Sequence, residues 1–105
     1  MNIEQINYIE NRMRELGITK YHIRPMILDF VNGQSSQNIK AYNEHIFLVK
    51  KASVADIIIH SDNNIIHSPF GETFKQLPQE FQGYISIESS SQDIHSLEFI
   101  RIIPQ

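Results

Sequence analysis

The chain has 105 residues, with nine Lys and Arg against twelve Asp and Glu, and no cysteine. That length suits one domain with a single core, which buries about 65% of the surface its unfolded form exposes. The missing cysteines exclude disulfides, thiolate catalysis and Cys-type zinc sites. The scattered basic residues, with Lys50-Lys51 the only adjacent pair, form no stripe for nucleic-acid phosphates to dock on.

Hydrophobic residues at 41% and charged residues at 20% describe a folded chain rather than a disordered one. No apolar run approaches the ~18 residues of a membrane span. The opening "MNIEQINYIE" has neither the basic nor the apolar region of a secretory leader. A cytoplasmic protein or a virion component is the expectation.

The first element is a helix over 2–16. Ile3, Ile6, Ile9, Met13 and Leu16 share one stripe, and Glu4, Asn7, Glu10, Asn11, Arg14 and Glu15 lie on the other side. Asn2 and Gln5 have the spacing of a capping box. Gly17 follows the last apolar residue, where a left-handed residue is wanted. The stripe needs a surface to cover, so the helix is a lid on the rest of the chain.

After Gly17 the period changes. Residues 20–31 read as an extended strand whose apolar set moves from Tyr21 and Ile23 to Met26, Leu28 and Phe30 across Pro25, as a bulge would produce. The rival reading is a second helix with Pro25 in its first turn. "VNGQSSQN" marks a turn. "EHIFLVKK" is apolar on both faces from Ile46 to Val49 and so reads as a central strand. "ADIIIHS", "NIIHS", "GYISIES" and "HSLEFIRIIP" follow as strands, with Pro104 stopping the last. Loops of hairpin length imply antiparallel pairing.

The fold class is therefore α+β: an N-terminal helix packed on a five- to six-stranded antiparallel β-sheet or a small β-sandwich. Residues 1–105 form a single domain, with the β-rich region over 18–104. The segment 83–104, "GYISIESSSQDIHSLEFIRIIP", resembles the closing hairpin of concanavalin-like sugar-binding sandwiches. No site residue follows from that resemblance.

Two stretches carry candidate chemistry. In "IIIHSDNNIIHS", a two-residue turn at Asn63-Asn64 sets His60 directly opposite His67, on the wetter face of a hairpin. Two imidazoles so placed can share a metal, with Asp62, Asp56 or His95 as a third ligand. The alternative is a plain solvated face, whose two imidazolium ions would repel and loosen the hairpin near pH 5. The connector 69–82 holds Phe70, Phe74, Leu77 and Phe81 between prolines. The aromatics either plug the core or form a partner surface. No nucleophile elbow, phosphate loop or paired carboxylates appear, and Asp29 and Asp56 are the acids without an evident role. The reading is a non-enzymatic binding or structural module without a cofactor. It would contact a protein partner or itself through Phe70, Phe74 and Phe81. The alternative is a small-ligand or metal-binding domain using His60 and His67.

Overall fold

The structure is a computed structural model. It describes residues 2–105 except 34, 43, 62–63 and 78–81, with backbone alone at 42 and 82. The chain forms α1 (Ile3–Glu15), β1 (Tyr21–Phe30), β2 (Ser36–Tyr42), β3 (His45–Val49), β4 (Ile57–His60), β5 (Ile65–Ser68), β6 (Phe74–Gln76), β7 (Gln82–Ser89) and β8 (His95–Pro104). The strands make two four-stranded sheets, ordered β1-β8-β3-β6 and β2-β7-β4-β5. Every pairing is antiparallel. The architecture is a β-sandwich with the helix as a third layer.

α1 starts and stops for local reasons. The Asn2 side chain accepts from the Gln5 N–H at 2.9 Å and the Gln5 side chain accepts from the Asn2 N–H at 3.0 Å, closing the capping box. At the other end Ile18 N–H reaches the Met13 carbonyl at 2.9 Å and Gly17 N–H the Arg14 carbonyl at 3.0 Å. Gly17 has φ 75°, so the end is a Schellman motif. Ile9 and Met13 are fully buried against Phe47, Ile100 and Ile102, with Ile18 packed beside them. Ile3, the first residue of the expected stripe, is 72% exposed, while Tyr8 sets its ring edge-on to Phe47 and Phe74.

β3 is central in its sheet and buried on both faces, as its unbroken apolar run required. Phe47 faces the helix, while Ile46 and Leu48 face the second sheet and join Phe30, Ile57, Ile59, Ile85, Ile87, Leu97 and Phe99 in the main core.

The segment 20–31 is a strand, and the helical alternative falls. It carries no bulge, because β1 pairs with β8 in one unbroken register from Tyr21↔Pro104 to Phe30↔His95. The phase change at Pro25 is instead a change of neighbour. Tyr21 packs towards the helix, whereas Met26, Leu28 and Phe30 point into the sandwich. β1 is an edge strand, where proline is tolerated.

The strand count exceeds the expectation because β2 and β6 were hidden. β2 sits in a polar run whose buried members, among the described side chains, are Ile39 and Ala41, and β6 lies inside the connector. The linkage also differs. Only β4 and β5 are joined as a hairpin; every other consecutive pair of strands lies in opposite sheets. A five-residue loop such as 90–94 reaches ~17 Å when extended, enough to cross the ~10 Å between sheets. The segment 83–104 is therefore an arch between sheets and not a hairpin.

Candidate functional site

The histidine hairpin forms, but its register is two residues away from the expected one. β4 and β5 pair as Ile57↔Ser68, Ile58↔His67, Ile59↔Ile66 and His60↔Ile65. Ser61 N–H bonds the Asn64 carbonyl at 2.9 Å, which sets that register. Asp62 and Asn63 lie outside the described residues. Ile57 and Ile59 face the core, and Ile58, His60, Ile65 and His67 face outwards. His60 and His67 are thus diagonal neighbours and not a directly opposed pair. Each has a carboxylate instead: His60 Nε2 lies 3.3 Å from Glu88 Oε2, and His67 Nε2 lies 3.5 Å from Asp56 Oδ1. Each imidazole therefore has a carboxylate as its neighbour on the outer face. Among the described residues no group of three His, Asp or Glu side chains could hold a metal ion.

His95 lies in the other sheet, its ring stacked on Phe30 at 4.6 Å. Its Nδ1 bonds the Asp93 carbonyl at 2.6 Å. A carbonyl only accepts, so that nitrogen carries the proton.

The three connector aromatics separate. Phe74 stacks on Phe47 at 5.6 Å in the cluster beneath the helix. Phe70 is 66% exposed. Phe81 lies outside the described residues.

Phe70 stands at the rim of a cleft of about 660 Å³ at one end of the sandwich. Three loops build it: 50–56 after β3, 69–73 after β5, and 90–94 before β8. Asp56, one of the acids without an evident role, is their common tie. Its N–H donates to Ser90 Oγ at 3.1 Å, its carbonyl accepts from Ser90 N–H at 3.0 Å, and its carboxylate accepts from Phe70 N–H at 2.7 Å. The Phe70 N–H bond first, and His67 after it, hold the Asp56 carboxyl below the usual carboxylate range. Lys50, itself buried, donates from Nζ to the Pro69 carbonyl at 2.9 Å. Burial pushes its pKa down, against the pull of Glu72 and Asp56. Asp29, the other such acid, accepts from Ser96 Oγ at 2.6 Å.

Phe70 is displayed by its turn. Glu72 N–H bonds the Pro69 carbonyl at 3.1 Å and Gly71 has φ 95°, the third-position glycine of a type II turn. Ile94, 78% exposed, lines the same cleft from the 90–94 loop. From the sequence alone Ile94 has no assigned role. The available signal was its phase: Ile94 is apolar one residue before a strand whose inward set is Leu97 and Phe99.

The cleft offers two exposed apolar side chains, the hydroxyls of Ser53, Ser90 and Ser91, and charges of both signs at Lys51 and Asp93. No family model matches the chain, and no curated protein matches it. Among the described residues no helix is long and apolar enough to cross a membrane.

Proposed function

We propose that the chain is a non-enzymatic interaction module whose recognition surface is the loop cleft, with a protein segment as its partner. The observation that carries this reading is the pair Phe70 and Ile94, 66% and 78% exposed on the rim of one cleft. Large apolar side chains displayed beside a concave polar surface are what interface anchors look like before a partner covers them. Asp56 holds the backbone of Phe70 in place, so the ring is presented from an ordered turn, which lowers the entropy lost on binding.

The test is to pan a random peptide library against the protein and map enriched peptides by amide chemical-shift changes. Binders should perturb residues of the 50–56, 69–73 and 90–94 loops. Phe70→Ala should weaken them about tenfold, the scale of a modest hot spot. Peptides that map elsewhere, or that bind Phe70→Ala undiminished, refute the reading.

A further inference from the structure

Among the described residues, the outer strands of the two sheets are β1, β6, β2 and β5. Their backbone phases decide which can accept another strand. Gln105 N–H bonds the Lys20 carbonyl, so the even-numbered residues of β1 bond β8 and the odd-numbered ones face outwards. Pro25 stands in that outward set without an N–H, and the outward carbonyl of Asp29 is taken by the Gln37 side-chain amide. On β2, Ser89 N–H bonds the Ser35 carbonyl, which turns Ser36, Asn38 and Lys40 outwards. The Lys40 carbonyl accepts from Arg101 Nη2 at 3.0 Å. β6 has three residues beneath the helix. These are familiar ways of blunting an edge.

Among the described residues β5 has no such guard. The Ser61–Asn64 bond fixes its phase: Ser68 and Ile66 exchange bonds with β4, while Ile65 and His67 turn both N–H and C=O away. No described residue takes up those groups. The same edge carries Ile65, 73% exposed.

We propose that β5 pairs antiparallel with β5 of a second copy of this chain, about a two-fold axis at Ile66, joining two four-stranded sheets into one. In that register Ile65 faces His67 of the other copy, and His67 faces its Ile65. All four are outward-turned residues, so each facing pair forms two ladder bonds. The arrangement is isologous, with one patch meeting itself, which is the commonest closed symmetry. Ile66 meets its own copy on the inner face, and exposed Ile65 lies beside the opposite imidazole. No like charges are opposed at neutral pH. Pro69, without an N–H, ends the strand and limits the seam to these residues. So short a seam makes a weak dimer, at the small end of specific interfaces.

Amide hydrogen exchange on the full chain tests this without any variant. Between about 20 µM and about 1 mM protein, the Ile65 and His67 amides should slow by roughly fourfold for a Kd near 100 µM, mass action capping the effect at about sevenfold over this range. Those of Ile66 and Ser68, already bonded to β4, should change little. Sedimentation over the same range should move from one chain towards two. His67→Pro deletes an outward donor but no bond to β4, and Ile65→Lys charges the seam; each should abolish the concentration dependence while Ile59 stays protected. A monomer with fast Ile65 and His67 exchange at the highest concentration overturns the proposal. So does a dimer that survives both substitutions.

Discussion

At the scale of single residues, His45 shows what burial does to a titratable group. It is 6% exposed at the start of β3, opposite Ile102 on the helix side of the sheet, and its Nδ1 has no hydrogen-bond partner. Burial first, and the Arg12 guanidinium after it, push its pKa below the ordinary 6.5. Above that value the ring is neutral in both folded and unfolded chains and pH has no lever on it. As pH falls through about 6.5, the unfolded chain takes up a proton that the folded chain refuses, so stability declines. Asp56 acts in a different window: its carboxyl is lowered, so its contribution is lost only as pH falls below the ordinary carboxylate range. Thermal midpoints measured from about pH 7.5 to about pH 5 should therefore fall for the wild type and fall less for His45→Leu. Parallel curves for the two proteins would assign the acid sensitivity elsewhere.

Among the elements, α1 depends most on local chemistry. Gly17, at φ 75°, has no atom within 4 Å of where a Cβ would sit. Gly17→Ala therefore meets no clash and should cost only the backbone penalty, about 1 kcal/mol in urea unfolding. A loss several times larger would mean that the helix end is held by more than its Schellman motif. The same locality explains what the sequence made legible. The capping box, the terminal glycine and the two-faced β3 were all readable, because each pattern is complete within one segment. β2 and β6 were not, because Ile39, Ala41 and Phe74 gain their burial from partners far along the chain. The β4–β5 register was missed for a related reason. Consecutive asparagines leave the turn position ambiguous, and moving the turn by one residue moves the pairing by two. Of the candidate site, the exposure of Phe70 was left open by composition, and the part played by Ile94 depended on an arch between sheets that loop length alone does not reveal.

The whole molecule is two sheets and a helix held in register by a few polar ties as well as by apolar area. One such tie lies at the end away from the cleft. Glu44, 4% exposed just before β3, is ion-paired with Arg101 on β8, and that guanidinium also reaches the Lys40 carbonyl of the other sheet at 3.0 Å. One side chain thus joins the β3 entry, β8 and the β2 edge. Removing one partner of so buried a pair strands the other charge, whereas replacing both with apolar groups of similar size leaves little to desolvate. Glu44→Ala should lower the unfolding free energy by about 3 kcal/mol. The double change Glu44→Leu with Arg101→Met should recover most of that loss, though it gives up the bond to Lys40. The comparison separates the ion pair from the clasp it carries. If the double variant is as unstable as Glu44→Ala, the stranded charge is not the cause, and the guanidinium's hold on the second sheet is what the fold requires. If Glu44→Ala loses well under 1 kcal/mol, water reaches the pair freely and its burial has no energetic consequence.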